Sequence, residues 1–202
     1  MTARLPPYLV RQNFLGADLS ARLLAHAIDT EASFQPSKVV DHGASRVDPS
    51  FRVSVIQLEL GALKREVREV MHAAAPDLIK SLRVTPFDVM KVEVEMAAHG
   101  DGAFYRRHTD TFAHDPAGSS DRLVSGVYYF HQTPKQYSGG ALRLYAFGPG
   151  SDQYEEIVAE HDSLVVFPSW AAHEVLPVSC PSGRFADSRF ALNCWFLRAR
   201  VS

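Results

Sequence analysis

Three side chains in this sequence could together bind a metal ion. His108 and Asp110 stand two positions apart in FYRRHTDTF, a segment that reads as a β-strand. Alternate side chains of a strand point the same way, so the imidazole and the carboxylate are expected to converge on one volume. His173, which follows the apolar strand LVVFP, is the third candidate. Taken alone, His173 would more simply be a hydrogen-bonded core residue, because buried polar groups normally find partners.

Two imidazoles and one carboxylate on one side of a metal ion leave other coordination positions open. That donor set is typical of non-haem Fe(II) sites that perform oxygen chemistry. A structural zinc site usually fills its coordination shell, often with cysteine sulfur, and this chain has only Cys180 and Cys194. The residues therefore favour a reactive iron site with room for a co-substrate.

The other histidines that we assessed stand in helices, in polar segments or at a strand end. We expect them to be surface residues: His26, His42, His72, His114, His131 and His161. Arg189 is different, because it lies in the strand-like segment RFALNCWF. An unpaired buried charge costs several kcal/mol, so an anion is expected to meet this guanidinium.

Two amphipathic helices are predicted in the first half of the chain. One lies within residues 17–34, where Asp18 or Ser20 can cap the N-terminus. The other lies within residues 58–79 and carries an apolar stripe opposite a charged face. These helices are expected to support the part of the chain that carries the chemistry.

The second half of the chain changes to short β-rich runs separated by turn residues. Helices followed by such strands predict an α+β fold, with a double-stranded β-helix (jelly roll) core and N-terminal supporting helices. We expect a single domain over 1–202, with a helix-rich part at 1–87 and the jelly-roll catalytic core at 88–198. Gly139 and Gly140 are expected to form a turn or bulge, since no helix follows them.

The composition excludes several classes of partner. The chain is 46% hydrophobic with a net charge of -2, so it offers no basic surface for nucleic acid or anionic lipid. No segment approaches the roughly 20 apolar residues of a membrane span. Two cysteines cannot form a disulfide framework, which favours a reducing compartment. We expect a cytoplasmic protein with no nucleic-acid partner and no membrane association.

Five segments, in chain order, resemble the core of the 2-oxoglutarate- and Fe(II)-dependent oxygenases: HGDGAFYRRHTD, RLVSGVYYF, SGGALRLY, LVVFPSWAAHEVLPV and RFALNCWF. The resemblance is greatest to the prolyl 4-hydroxylase branch, which includes the hypoxia-type protein prolyl hydroxylases, and covers about half of the chain. It implies His108, Asp110 and His173 as iron ligands. The implied cofactors are Fe(II), 2-oxoglutarate and O2, with ascorbate as a further candidate.

The resemblance also implies that Arg189 holds the distal carboxylate of 2-oxoglutarate, which a planar guanidinium can grip through two hydrogen bonds. Arg184 is a rival, because the arginine of hypoxia-type enzymes comes sooner after the distal histidine. Arg189 is favoured since it lies in a strand, whereas Arg184 follows a turn. The resemblance or the shared strand face adds further pocket residues: Tyr105, Val127, Tyr129, Asn193 and Trp195. The aromatic ones could instead be core residues, which strands favour in any case.

The implied reaction is hydroxylation of an unactivated C–H bond, with succinate and CO2 as co-products. A prolyl residue in a protein or peptide is the favoured substrate, and Arg122 either contacts it or is an ordinary charged residue at a strand start. Residues 112–121 are a candidate lid.

Three other functions remain open. A free amino acid or other small metabolite is the close competitor as substrate, because no C-terminal helix follows the last strand to clamp a peptide. Repair of alkylated nucleic acid is disfavoured by the lack of a basic surface excess. A non-catalytic cupin-like module that binds a metal or ligand belongs to another class.

Overall fold

Two antiparallel β-sheets and two α-helices make up the fold of the described residues. The computed structural model describes residues 3–41, 44–111, 119–148 and 152–200. The helices are α1 (Gly16–Asp29) and α2 (Ala62–Leu82), with short 3-10 segments at Glu31–Ser33 and Phe185–Asp187. The strands are, in chain order, β1 (Leu9–Gln12), β2 (Gln35–Pro36), β3 (Val39–Asp41), β4 (Ala44–Arg46), β5 (Arg52–Val53), β6 (Val55–Gln57), β7 (Lys91–His99), β8 (Phe104–His108), β9 (Ser120–Phe130), β10 (Ser138–Gly139), β11 (Leu142–Tyr145), β12 (Tyr154–Ile157), β13 (Ser163–Pro168), β14 (His173–Val175), β15 (Val178–Ser179) and β16 (Arg189–Ala199).

The strands form a seven-stranded and a five-stranded sheet. The larger sheet has the order β1-β13-β9-β16-β7-β6-β2, and the smaller has the order β12-β11-β14-β8-β5. The pairs β3–β4 and β10–β15 form two small additional sheets. Consecutive strands often lie in different sheets, so residues distant in the chain become neighbours in the space between the sheets.

The larger sheet is covered on both faces, and the alternation of β16 shows how. Leu192 and Phe196 belong to the apolar cluster that the sheet shares with α1 and α2. Ala191 belongs to a second cluster, which includes Leu142 and Leu144 of the smaller sheet. Because alternate residues of a strand point to opposite faces, the odd-numbered residues of β16, Arg189 included, face the smaller sheet.

The predicted α+β class and both predicted helices are confirmed, although the cap of α1 is not the predicted one. Neither Asp18 nor Ser20 caps α1, because the N-cap position is Leu15. The carboxylate of Asp162 instead accepts hydrogen bonds from the backbone N–H groups of Leu15 at 2.9 Å and Gly16 at 3.1 Å. A side chain remote in sequence therefore supplies the acceptor that a local residue was expected to provide.

The first part of the chain contributes strands that the sequence did not indicate. β1, β2 and β6 join the larger sheet, and β5 joins the smaller one. The division into 1–87 and 88–198 stays a prediction. Both cysteines are buried and free. None of the helices in the described ranges combines the length and apolar character needed to cross a membrane.

Replacing Asp162 with alanine is expected to lower the free energy of unfolding by about 2–4 kcal/mol, because it removes a helix cap and a buried acceptor together. Asp162 also accepts a hydrogen bond of 2.9 Å from the Tyr128 hydroxyl, and its φ of 50° disfavours alanine. Urea denaturation measures the loss. Asp162→Asn keeps an acceptor and tolerates this φ, so it should lose less; equal losses for both variants would contradict the capping role.

Candidate metal centre

His108, Asp110 and His173 come together in the structure. His108 ends β8, His173 begins β14, and the two residues are directly paired across these strands. The Nε2 atoms of His108 and His173 lie 3.8 and 3.7 Å from the carboxylate oxygens of Asp110. One ligand atom from each residue lies within 4.8 Å of those of the other two. The three predicted ligands thus form one cluster.

The backbone fixes the orientation of both imidazoles. His108 Nδ1 lies 2.7 Å from the carbonyl oxygen of Arg106, and His173 Nδ1 lies 2.9 Å from that of Ala171. A carbonyl oxygen can only accept, so each Nδ1 must carry the proton and donate. The lone pair is then on Nε2, which faces Asp110. Such outer contacts set the tautomer and direction of metal-binding histidines.

Two serines hold the carboxylate between the histidines. The Ser125 hydroxyl donates to Asp110 Oδ2 at 2.6 Å, and it lies 2.8 Å from the hydroxyl of Ser169. The backbone N–H of Asp110 also donates to the Ser169 carbonyl oxygen at 2.9 Å. Asp110 follows the end of β8, so these contacts fix a residue that no strand ladder holds.

The electrostatics favour the protonation states that bind metal. Burial alone would raise the pKa of the Asp110 carboxyl, but the two imidazoles and hydrogen bonds from Ser125 and Trp195 lower it below its usual value. Burial first, and then the neighbouring His173, lowers the pKa of His108 to about 3. An ionised carboxylate beside a neutral imidazole is the state that a metal ligand requires.

Aromatic rings pack around the histidines. The ring of Tyr105 stacks on His108 with centroids 3.6 Å apart, and the guanidinium carbon of Arg52 lies 4.6 Å from the centroid of the same tyrosine ring. Phe167 packs edge-on against His173 at 4.7 Å. Tyr105, predicted to lie near the metal, therefore supports a candidate ligand directly.

A cavity of about 470 Å³ opens beside the cluster. Its size is typical of a small-molecule site. Its lining includes the three candidate ligands and most of the other predicted site residues: Tyr105, Arg122, Val127, Arg189, Asn193 and Trp195. The structure therefore gathers residues from both sheets around one volume.

Arg189 lines this cavity and lacks a counter-charge. It is 1% exposed, and its Nε and Nη2 have no hydrogen-bond partner. Among the described residues, no carboxylate pairs with it. Its guanidinium carbon lies 4.8 Å from the centroid of the Tyr129 ring, whose buried hydroxyl also lacks a partner. A bound carboxylate would satisfy both residues.

The rival Arg184 lies elsewhere. Its side chain is 68% exposed, and its Nε donates to Asp187 Oδ2 at 2.8 Å. Arg184 lines a separate pocket beside the 3-10 segment at Phe185–Asp187. Of the two arginines, Arg189 alone reaches the cavity beside the candidate ligands.

A comparison with known protein families assigns the chain to one superfamily. The model of the 2OG-Fe(II) oxygenase superfamily matches residues 94–197, just over half of the sequence. The chain belongs to this superfamily. The matched range contains all three candidate ligands and Arg189. Membership confirms the predicted cofactors Fe(II), 2-oxoglutarate and O2, while ascorbate stays a prediction.

Individual relatives agree with this oxygenase assignment. An uncharacterised PKHD-type hydroxylase of Synechocystis sp. is 33% identical over 190 residues, which are 91% of this chain and 61% of that protein. The chain therefore spans about three fifths of the length of this relative.

Solved structures show the same fold. A Pseudomonas putida prolyl-4-hydroxylase has a TM-score of 0.70 and 26% identity, over 96% of this chain and 94% of that one. A Trichoplax adhaerens prolyl hydroxylase, in complex with a peptide fragment of the hypoxia inducible factor oxygen degradation domain, has a TM-score of 0.66 and 22% identity, over 95% and 83% of the two chains. The predicted jelly-roll fold is confirmed.

Two arginines that line the oxygenase cavity form ion pairs. Arg122 Nη2 lies 2.8 Å from Glu93 Oε2, and its guanidinium carbon lies 3.8 Å from the centroid of the Trp195 ring. Arg52 Nη2 lies 3.2 Å from Glu95 Oε1, which also accepts from Asn193 Nδ2 at 3.2 Å. Each arginine on this wall is thus beside a carboxylate, in contrast to Arg189.

Alanine at Gly140 is expected to lower the free energy of unfolding by about 2–4 kcal/mol, from backbone strain and overpacking together. Gly140 has a φ of 66°, and an added Cβ would lie 2.7 Å from Arg189 Cδ and 2.8 Å from Val178 Cγ2. Gly183 has a φ of 62° with no atom within 4 Å of such a Cβ, so Gly183→Ala is the control for backbone strain alone. Urea denaturation should show the larger loss at Gly140; equal losses would contradict the contact with Arg189.

Sequence reasoning missed several residues around this site and misplaced one histidine. Ser125, Ser169, Arg52 and His99 were not predicted, because a single serine, arginine or histidine without a partner at a diagnostic spacing gives no distinctive pattern. The surface position predicted for His131 is wrong: the residue is buried, and its ring packs against Tyr137 and His161.

The other predicted surface histidines vary in exposure. His72 is exposed, whereas His26 and His161 are half-buried. His42 and His114 lie outside the described residues. So does most of the candidate lid, at positions 112–118.

Proposed function

We propose that this protein is a 2-oxoglutarate- and Fe(II)-dependent dioxygenase that hydroxylates an unactivated C–H bond of a prolyl residue in a peptide or protein. One observation carries the proposal: three metal donors and a buried guanidinium without a counter-charge line the same cavity. The donors fit an open iron site. The guanidinium fits the far carboxylate of a dicarboxylic co-substrate.

The residues would divide the work as follows. His108, Asp110 and His173 would hold Fe(II), which together with 2-oxoglutarate supplies the activation of O2 and yields succinate and CO2. Arg189 and the Tyr129 hydroxyl would hold the distal carboxylate. The other predicted residues of the lining would shape the cavity around the co-substrate: Tyr105, Val127, Asn193 and Trp195.

Two arginines of the cavity wall offer hydrogen-bond donors to a peptide substrate. Arg122 and Arg52 each lie beside a glutamate, so these ion pairs add no net charge to the wall. A neutral peptide carbonyl needs only an N–H donor and no net charge. Arg122 would supply such a donor. The prolyl hydroxylases among the structural neighbours support the same substrate class.

The test is oxygen incorporation by the Fe(II)-loaded protein with 2-oxoglutarate. Proline-containing peptides and a small-metabolite extract are supplied separately, and mass spectrometry detects products that gain one oxygen atom. Asp110→Ala is the matched control. Oxygenated peptides that form only with the wild-type protein support the proposal, and oxygenated metabolites alone would favour the small-molecule alternative. If the protein neither formed succinate nor bound 2-oxoglutarate, the result would favour the non-catalytic cupin-like module.

A further inference from the structure

His99 is a buried histidine in the cavity wall, next to the proposed co-substrate arginine. It ends β7 and is directly paired with Arg189, the first residue of β16. His99 is 3% exposed and lines the same cavity. Its Nδ1 lies 3.4 Å from Arg189 Nη1. The two side chains are therefore held against each other at the ends of paired strands.

The chemistry of this contact fixes the state of the imidazole. A guanidinium has only donors, so Nδ1 of His99 must accept and the ring must be neutral with its proton on Nε2. Burial, followed by the charges of Arg189 and Arg52, lowers the pKa of His99 well below its usual value. The ring is thus a neutral acceptor beside a cation.

The contact also determines which edge of the guanidinium stays unpaired. It engages Nη1 and leaves Nε and Nη2, which have no hydrogen-bond partner. These two nitrogens form one edge with parallel N–H bonds, the arrangement that binds both oxygens of a carboxylate. The guanidinium carbon lies 4.8 Å from the centroid of the Tyr129 ring, and Gly140 leaves no spare room at Arg189 Cδ.

We propose that His99 is a positioning residue for Arg189. The imidazole of His99 orients the guanidinium of Arg189 so that the Nε and Nη2 edge receives the distal carboxylate of 2-oxoglutarate. This inference rests on the proposed function, because it assumes that Arg189 binds that carboxylate. His99 is not one of the candidate metal ligands, and its side-chain hydrogen bond is to Arg189. Its effect should therefore be confined to ligands that carry a second carboxylate.

The experiment measures ligand affinity rather than turnover. The Mn(II)-loaded protein is titrated by calorimetry with 2-oxoglutarate and with 2-oxobutanoate, which keeps the 2-oxo acid end and lacks the distal carboxylate. His99→Phe retains a ring and removes the acceptor. His99→Asn retains an acceptor near the position of Nδ1. Thermal unfolding verifies that each variant is folded. If His99→Phe does not fold, His99→Leu replaces it.

Removal of the acceptor is expected to raise the Kd for 2-oxoglutarate about tenfold, as for loss of one hydrogen bond to a charged group. The Kd for 2-oxobutanoate should not change, and His99→Asn should restore most of the 2-oxoglutarate affinity. Unchanged 2-oxoglutarate affinity in His99→Phe would overturn the inference. So would equal weakening of both ligands, or no restoration by asparagine. If the wild-type protein bound no 2-oxoglutarate, the proposed function itself would fail.

Discussion

Replacing Asp110 with alanine is expected to weaken metal binding by more than about 100-fold, since loss of even an outer partner of a metal ligand typically costs 10–100-fold. The change removes the one anionic donor of the cluster and leaves the two neutral imidazoles of His108 and His173. Turnover should fall to background in the same variant. Anaerobic titration with Fe(II) measures the first effect, and succinate formation measures the second.

Glu174 offers a matched control for this loss of charge. It directly follows His173 in β14, points to the opposite face of the strand, and pairs with Arg143 at 3.0 Å. Glu174→Ala removes a carboxylate next to His173 without changing the lining of the cavity, so metal affinity should stay at the wild-type level. Wild-type metal binding by Asp110→Ala, or an equal loss in both variants, would refute Asp110 as a ligand.

Replacing Arg189 with lysine is expected to raise the Kd for 2-oxoglutarate by about 10–100-fold, because an ammonium replaces a bidentate guanidinium. Metal affinity should not change, since Arg189 makes no contact with the ligand cluster. Anaerobic titration of the Fe(II)-loaded protein with 2-oxoglutarate, followed by the weak visible charge-transfer band, gives the Kd directly.

Arg184→Lys is the matched control for this second change. The Arg184 side chain is exposed and hydrogen-bonded to Asp187, so the same substitution there should leave the Kd for 2-oxoglutarate unchanged. The opposite result, with Arg184→Lys weakening the co-substrate and Arg189→Lys not, would show that the choice between the two arginines is wrong.

The sequence revealed the candidate ligands because their spacing is a local property. His108 and Asp110 are two positions apart and therefore stay close in space, although Asp110 lies in a bend past the end of β8 and not in the predicted strand. Ser125 and Ser169, which fix the carboxylate, lie on remote segments and reach it only through the pairing of β9 with β13. That register depends on the whole sheet, so no local pattern revealed them.

The fold was likewise predictable where a local pattern was long enough to detect. The long helices α1 and α2 carry several turns of apolar periodicity, which a sequence window detects. β5 and β2 have two residues each, too few for any alternation, and they were missed. The end of β9 read as a surface position, yet His131 is covered by Tyr137 and His161. Tertiary packing, rather than local preference, decides such positions.

The two candidate histidine ligands and Arg189 belong to opposite sheets. His108 and His173 extend from the smaller sheet, whereas Arg189 extends from β16 of the larger one. Asp110 lies between the sheets, where Ser125 of the larger sheet holds it. A dicarboxylate bound at one end by Arg189 and at the other end near the candidate histidines would contact both sheets. Its binding is therefore expected to stabilise the packing of one sheet against the other. Departure of that ligand would remove this link, while the apolar cluster shared by the two sheets would still hold them together.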